Sequence, residues 1–185
     1  MNSASPRSVA EIEAWSRAFV TTMEEARQRF ASFAVLNLVA QADLGRAIAM
    51  KGGNALRFGF GSQRSTVDLD FSVAGNLLAD DEAEVRAQLA RAIEGPNAFQ
   101  LRLRVQSIRR NPARPGTTHP TYAIGIGFQL PGDRFYNTLA TVATGVHSVV
   151  RLEISLNDAV CECIELDLDG TTRGMLRCCS LEDIV

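Results

Sequence analysis

The stretch Lys51-Gly-Gly-Asn-Ala-Leu-Arg-Phe-Gly-Phe-Gly-Ser-Gln-Arg-Ser-Thr-Val-Asp-Leu-Asp-Phe-Ser-Val73 decides the fold of this 185-residue chain. Its lysine is the only one in the sequence, and it precedes a glycine pair, a Gly-Ser step and two aspartates separated by one residue. Residues 65–73 alternate apolar and polar side chains, which predicts a half-buried strand. Because side chains two apart on a strand share a face, Asp68 and Asp70 are expected to point to one side.

Two carboxylates on one face of a strand favour a divalent cation, since hard ions such as Mg²⁺ prefer carboxylate oxygens. Asp68 and Asp70 are therefore predicted to be metal ligands. Asp167 and Asp169 form a second Asp-x-Asp, but the chain turns at once into Gly170-Thr-Thr. We expect that second pair to be the solvated end of a hairpin.

The glycines upstream of the aspartates predict an anion site. A glycine pair lets the backbone approach an anion without obstruction by a Cβ atom, and amides at the start of a helix favour negative charge. Arginine can pair with phosphate oxygens through two hydrogen bonds, whereas lysine acts as a point charge. The predicted nucleotide-binding residues are Gly52, Gly53, Gly61, Ser62, Arg64 and Arg57, with Lys51 close to the phosphates.

Residues 50–73 resemble the nucleotidyltransferase family of the AbiEii/AbiGii toxins, whose members read Lys-Gly-Gly-x-x-Leu, then a short Gly-Ser or Arg-Ser turn, then Asp-x-Asp. The resemblance implies catalytic roles for Lys51, Ser62, Asp68 and Asp70. A third carboxylate from a neighbouring strand commonly completes the metal site in this fold, and Glu153 is the best-placed candidate.

The same resemblance implies what the protein works with. The cofactor would be Mg²⁺ or Mn²⁺, and the donor would be a nucleoside triphosphate from which a nucleotide is moved to an acceptor. Several members of this kind act on transfer RNA ends, so tRNA is one implied acceptor and protein another. A toxin of an abortive-infection or toxin–antitoxin system also implies a cognate antitoxin as partner.

The rest of the sequence predicts an α/β protein, and its 46% hydrophobic residues suffice for a core. Apolar residues at helical spacing predict two helices over 8–42 with a break near Ser32, and a third over 80–93. About six strands are expected, over 65–73, 99–108, 122–130, 146–156, 161–168 and 174–178, with residues 47–50 a strand or a helix end. The predicted fold is a nucleotidyltransferase-like mixed β-sheet packed by helices.

We expect residues 1–185 to form a single nucleotidyltransferase-like domain. Residues 1–45 would supply N-terminal helices, 46–179 the sheet core with the active site, and 180–185 the start of a helix. Members of the resembled family continue beyond this point with a second lysine and a further aspartate element, so the C-terminal helical part is expected to be missing.

The amino-acid composition bears on the cellular location of the protein and on its binding of polynucleotides. No run of about 18 apolar residues and no basic, then hydrophobic, leader is present, which predicts a cytoplasmic protein without a membrane partner. With a net charge of −2, any polynucleotide would need a local arginine patch. Several arginines could form a path for RNA, or they could be only the exposed face of an edge strand and its loop. They are Arg102, Arg104, Arg109, Arg110 and Arg114.

The cysteines and histidines carry less information. Cys161-x-Cys163 and Cys178-Cys179 lack the usual two-residue zinc-knuckle spacing, which argues against metal ligands. We expect Cys161 and Cys163 to share one face of a strand and to pack as small apolar residues. Neither His119 nor His147 has a nucleophile or carboxylate partner at a diagnostic spacing.

Two alternative functions remain open from the sequence. A protein that lacks the C-terminal lysine and aspartate could be a catalytically impaired, nucleotide- or partner-binding remnant. An Asp-x-Asp glycosyltransferase is the other alternative, because that motif also holds a metal–nucleotide-sugar complex. No Rossmann glycine pattern precedes the motif, however, and no Walker-type phosphate loop occurs in the chain.

Overall fold

The computed structural model describes residues 5–62, 66–73, 80–112, 119–139, 148–157, 162–166, 168 and 176–184. After a short 3-10 turn at Val9–Glu11, six helices follow in this part of the chain. They are α1 (Ile12–Ala18), α2 (Met23–Gln41), α3 (Asp43–Ala47), α4 (Gly52–Phe60), α5 (Glu82–Ile93) and α6 (Leu181–Ile184).

The seven strands of the described part form one mixed sheet in the order β3-β4-β5-β2-β1-β7-β6. They are β1 (Ile48–Lys51), β2 (Leu69–Val73), β3 (Arg102–Asn111), β4 (Thr121–Gln129), β5 (Val149–Ser155), β6 (Cys163–Leu166) and β7 (Leu176–Cys179). Strand β2 pairs with β1 in antiparallel and with β5 in parallel orientation, so β2 lies in the middle of the sheet. The predicted helix-packed mixed sheet is confirmed.

The N-terminal helices begin and end at places that the apolar spacing did not predict. Residues 19–22, rather than Ser32, separate α1 from α2, and Ser32 lies inside α2. The side chain of Thr22 caps α2 by accepting a hydrogen bond from the amide of Glu25, and acidic residues follow in the first turn. The predicted break was wrong because the local capping chemistry, not the apolar spacing, sets where the helix begins.

The strand bounds differ from the expectation by a few residues. The predicted 65–73 strand begins only at Leu69, and residues 48–51, left open between strand and helix end, are strand β1. β1 brings the number of strands to seven. The strand expected over 99–108 runs from Arg102 to Asn111 and is the edge strand of the sheet.

The hydrophobic core lies between the sheet and helices α2 and α5. Along β5, Val150, Leu152 and Ile154 are buried while Arg151 and Glu153 are exposed, which is the alternation of a strand with one packed face. Large fully buried side chains from helix and strand meet in this layer, including Phe30, Leu36, Phe71, Leu89, Ile126 and Phe128. The opposite face of β2 and β5 therefore stays available for polar residues.

Among the described residues, none of the helices has both the length and the apolar character that crossing a membrane requires.

Candidate active site

The register of three neighbouring strands brings Lys51, Asp70 and Glu153 side by side. Lys51 on β1 is paired with Asp70 on β2, and Asp70 is paired with Glu153 on β5. Because neighbouring strands lie about 4.8 Å apart, these three charged side chains start from adjacent points on one face. The sequence interpretation of Glu153 as the third carboxylate agrees with this arrangement.

Asp68 precedes β2 and lies beside the same row. It lines a cleft of about 330 Å³ together with Asp70 and Glu153. The backbone around Asp68 is held from two sides, since Asn54 Nδ2 donates to the Asp68 carbonyl oxygen at 2.6 Å and Arg29 Nη1 donates to the Thr66 carbonyl oxygen at 3.1 Å. Helices α4 and α2 thus fix the segment that carries the aspartates.

The carboxylates repel one another. Partial burial raises the pKa of Asp70, the nearby carboxylates of Glu153 and Asp68 raise it further, and only Lys51 opposes them. A cluster of like charges at the edge of a cleft favours binding of a cation.

The Lys51 ammonium is held in place by a second strand. Its Nζ donates a hydrogen bond to Ser155 Oγ at 2.8 Å, and Ser155 is itself buried on β5. Lys51 is also the residue immediately before α4. The ammonium is therefore anchored between the carboxylate row and the start of a helix.

The glycine pair lets α4 begin directly against the carboxylates. Gly52 has a φ of +66°, and a Cβ atom there would lie 2.6 Å from Asp70 Oδ2. A Cβ atom on Gly53 would lie 2.4 Å from Thr66 Cγ2. Any larger residue at either position would displace a neighbour, so the close approach of the α4 N-terminus to Asp70 requires both glycines.

Gly61 and Ser62 lie at the other end of α4. Helix α4 has 9 residues and is therefore about 13 Å long. The amide of Gly61 donates to the Arg57 carbonyl and the amide of Ser62 to the Leu56 carbonyl, so both amides close the helix. The structure does not bring this Gly-Ser step to the glycine pair, and the role of Ser62 stays a prediction that would depend on its hydroxyl.

A larger cleft of about 1020 Å³ adjoins the first, and both share Asp68, Val149 and Arg151. Arg29 lines it from α2 and is only 7% exposed. Burial lowers the pKa of Arg29, and burial together with the nearby Arg29 lowers the pKa of Arg57. Arg57 is therefore next to Arg29 as well as on α4, whereas Arg64 lies outside the described residues.

Arg29 and Asn54 were not predicted from the sequence as site residues. Arg29 lies among Ala26, Phe30 and Phe33, so it occupies a core-facing helical position. A charged residue on the apolar stripe of a helix is a signal that could have found it. Asn54 is buried in the first turn of α4, where a polar side chain needs a partner, but the sequence does not say which partner.

The remaining candidates are not part of this site as the described residues show it. Asp167, Asp169, Cys161, Arg114 and His147 fall outside the described residues, and His119 is exposed. Cys178 and Cys179 are buried, and burial raises the pKa of the Cys178 thiol to about 12. Such a thiol stays protonated at neutral pH. Cys163, which was expected to pack as a small apolar residue, lies on β6 and is only partly buried.

Within the part of the chain described, no three histidine, cysteine, aspartate or glutamate side chains are grouped closely enough to hold a metal ion by themselves. That does not conflict with the chemistry of Mg²⁺, which usually binds one or two carboxylates together with waters and substrate phosphates. The donor set of Asp68, Asp70 and Glu153 is of the type that Mg²⁺ or Mn²⁺ takes.

A mixed sheet with acidic residues on adjacent central strands, and with a helix that begins at a glycine pair beside them, defines a nucleotidyltransferase-like fold. The family model described as "Nucleotidyl transferase AbiEii toxin, Type IV TA system" matches residues 35–185. The chain belongs to this family.

Two solved structures from Helicobacter pylori resemble the chain. JHP933 is 19% identical with a TM-score of 0.45, and the match covers 82% of this chain and 50% of that one. A proposed nucleotidyltransferase is 18% identical with a TM-score of 0.50, and the match covers 85% and 54% of the two chains. The chain therefore spans about half the length of these structures. No curated protein matches it in sequence.

Proposed function

We propose that the protein is a nucleotidyltransferase that moves a nucleotide from a nucleoside triphosphate to an acceptor hydroxyl. The observation that carries the proposal is the alignment of Lys51, Asp70 and Glu153 on three adjacent strands. Transfer of this kind needs a cation beside carboxylates and a further positive charge near the phosphates. The row offers both in one place.

The donor triphosphate would lie at the N-terminus of α4. Gly52 and Gly53 allow its phosphates to approach the backbone, and Lys51 supplies positive charge from the neighbouring strand. Arg57 and Arg64 are the further cations proposed for this triphosphate. Ser62, at the opposite end of α4, would contribute its hydroxyl only to a part of the nucleotide that extends along the helix.

Asp68, Asp70 and Glu153 are the proposed ligands of Mg²⁺ or Mn²⁺. The bound cation would neutralise phosphate charge and lower the pKa of the attacking hydroxyl. In the reaction, the acceptor oxygen would form a bond to the α-phosphorus while the bond between that phosphorus and the bridging oxygen breaks. Pyrophosphate would leave, and the hydroxyl would lose its proton.

Membership of a family described as type IV toxins supports two further proposals. The protein would act as the toxin of a toxin–antitoxin pair and would be neutralised by a cognate antitoxin in the cytoplasm. Its acceptor would be tRNA or a protein. Because the chain spans half the length of its structural neighbours, activity of this chain alone is part of the proposal.

Pyrophosphate release tests the proposal. Each of the four nucleoside triphosphates is mixed with Mg²⁺, bulk tRNA and the protein, and Asp68→Asn/Asp70→Asn is compared with Asp43→Asn, an exposed aspartate on α3. We expect the double variant to lose on the order of 100-fold in rate or more, and Asp43→Asn to lose nothing. Triphosphate binding by calorimetry without any pyrophosphate release would contradict the proposal and favour a nucleotide-holding protein without turnover.

A further inference from the structure

The sheet face beyond the carboxylates continues into two arginines. Glu153 on β5 is paired with Ala123 on β4, and Ala123 is paired with Arg109 on β3. In the adjacent row, Arg151 is paired with Gly125 and Gly125 with Ser107. The cleft of about 330 Å³ is therefore lined by Asp68 and Asp70 at β2, by Arg151 and Glu153 on β5, and by Ser107 and Arg109 on β3.

The floor of this cleft is open because the β4 residues in register with Glu153 and Arg151 are small, namely Ala123 and Gly125. A Cβ atom on Gly125 would lie 2.6 Å from Ser107 Oγ and 3.3 Å from Val149 Cγ1. Because Gly125 has no Cβ atom, the Ser107 hydroxyl can lie directly against the backbone of β4. A ligand that crosses from β5 to β3 would meet a flat backbone surface with a hydroxyl and two guanidinium groups around it.

The other arginines on β3 are engaged within the protein. Arg102 lies over the Tyr136 ring at 5.3 Å, Arg104 Nη1 donates to the Leu139 carbonyl, and Arg110 forms an ion pair with Asp80 at 2.7 Å. By contrast, neither the Arg109 nor the Arg151 side chain makes a hydrogen bond or an ion pair with any residue that the structure describes. Both are exposed at the cleft.

The proposed donor and this cleft lie on opposite sides of β2. The glycine pair follows β1, which flanks β2 on one side, whereas β5, β4 and β3 extend from its other side. With strands about 4.8 Å apart, the Cα atom of Arg109 lies roughly 10 Å from that of Glu153. One nucleotide unit bridges that distance, and an arginine side chain can reach back across part of it.

We propose that Arg109 and Arg151 form the subsite for the acceptor, and that they bind a phosphate next to its reacting hydroxyl. The inference rests on the proposed nucleotidyl transfer and adds the residues that would hold a polynucleotide acceptor. Guanidinium groups match phosphate oxygens through paired hydrogen bonds, and they offset the repulsion between an anionic acceptor and the carboxylates. A protein hydroxyl would bring no phosphate to this pair.

Binding of RNA tests the subsite independently of turnover. A fluorescein-labelled single-stranded RNA with a free 3′ hydroxyl is titrated with the protein, Arg109→Gln/Arg151→Gln and the control Arg102→Gln, over a range of salt concentrations. We expect the double variant to bind at least tenfold more weakly. Its slope of log affinity against log salt should fall by about 0.7, because one neutralised phosphate on a single strand contributes about 0.7. Arg102→Gln should keep the slope.

Kinetics then separate this proposal from the proposed function. We expect Arg109→Gln/Arg151→Gln to raise the KM for RNA at least tenfold and to leave the KM for the triphosphate unchanged, with unfolding midpoints showing that each variant is folded. Unchanged RNA affinity, salt slope and KM in an active protein would overturn the subsite alone. Efficient transfer to a protein such as casein, independent of both arginines, would overturn it as well. An intact protein that binds RNA through these arginines but releases no pyrophosphate would instead refute the proposed function.

Discussion

Gly52 and Gly61 have the same left-handed backbone but different surroundings. Their φ angles are +66° and +68°, yet a Cβ atom on Gly52 would lie 2.6 Å from Asp70 Oδ2, whereas one on Gly61 would have nothing within 4 Å. Alanine at either position should therefore lower the free energy of unfolding by about 1–2 kcal/mol. Only Gly52→Ala should also displace the Asp70 carboxylate.

The matched pair separates backbone strain from damage to the proposed metal site. We expect urea unfolding to show similar losses for Gly52→Ala and Gly61→Ala, and calorimetry with Mn²⁺ to show weakened binding for Gly52→Ala alone. Equal Mn²⁺ affinity in the two variants would mean that Asp70 is not a ligand or that its carboxylate moves freely away from the new methyl group.

Asn54 should matter both to stability and to the proposed activity. Its side chain is buried and donates to the Asp68 carbonyl oxygen, so Asn54→Ala should cost about 1–3 kcal/mol and loosen the segment before β2. Asn37 is an equally buried asparagine that donates to the Phe33 carbonyl within α2. We expect Asn37→Ala to lose similar stability while pyrophosphate release falls at least tenfold only in Asn54→Ala. Equal rates in the two folded variants would contradict a positioning role for Asn54.

Single residues differed in how far the sequence could predict them. Lys51 and Asp70 were predicted to lie together from the spacing of the lysine, the glycine pair and the aspartates, and Glu153 was added because the family resemblance implies a third carboxylate. The strand register places all three side by side. Ser62 and Gly61 were grouped with Gly52 because they are close in sequence. The nine-residue helix α4 begins at Gly52 and ends just before Gly61, so its length separates the two glycines in space, and the sequence spacing alone did not show this.

At the scale of elements, Asp80 connects the start of α5 to the β3–β4 hairpin. It accepts hydrogen bonds from Arg110 Nη2 at 2.7 Å and from the Tyr122 hydroxyl at 2.8 Å. The hydrogen bond from Arg110 is the main cause that lowers the pKa of Asp80. The folded state thus holds the ionised form more strongly than the unfolded state does.

This coupling predicts a pH dependence with a definite sign. A lowered folded-state pKa stabilises the protein above the ordinary aspartate pKa, and the benefit is lost as pH falls through the lowered value. At neutral pH the free energy of unfolding of the wild type should exceed that of Asp80→Asn by less than about 1 kcal/mol, because the carboxylate is partly exposed. Urea unfolding should show that this gap closes below about pH 3. A gap that persists in acid, or one that Asp43→Asn shows equally, would contradict the assignment.

Helices and strands were predicted well where a long apolar pattern defined them. They were predicted poorly where helix capping determined the position of a boundary. The alternation along β5 and the helical spacing of α5 gave both elements from sequence. The separation of α1 from α2 was placed at Ser32, because the apolar spacing continues across the true break. Val20, whose φ is +51°, turns the chain there, and a β-branched residue is the last type expected at such a backbone angle.

At the scale of the molecule, the segment before residue 35 belongs to the core although the family match begins only at that residue. Phe30 on α2 is fully buried and meets the Phe99 ring edge-on, with ring centroids 6.2 Å apart. Phe30→Ala should therefore lower the free energy of unfolding by about 3–5 kcal/mol. Phe19 is 40% exposed, and Phe19→Ala should cost about 1 kcal/mol. Equal losses in urea unfolding would show that α2 packs less tightly than described.

The fold class of the molecule could be predicted from the sequence, but the positions of its clefts could not. Paired carboxylates after a glycine pair indicated the fold, whereas the order of the strands could not be predicted, because β2 pairs with β5 and β1 with β7, which come from distant parts of the chain. In that order β2, β5 and β4 lie between β1, which leads into α4, and β3, which carries Arg109. The distinction between the proposed donor side and the proposed acceptor side of β2 therefore required the three-dimensional structure.

The most direct test of nucleotidyl transfer at this site follows two radioactive labels in a nucleoside triphosphate. With Mg²⁺ and RNA present, we expect an α-phosphate label to move to the RNA and a γ-phosphate label to leave as pyrophosphate. With Asp68→Asn/Asp70→Asn we expect neither transfer to the RNA nor release of pyrophosphate. Transfer of the γ-phosphate label to the acceptor, or label transfer that is unchanged in the double variant, would contradict nucleotidyl transfer at this site.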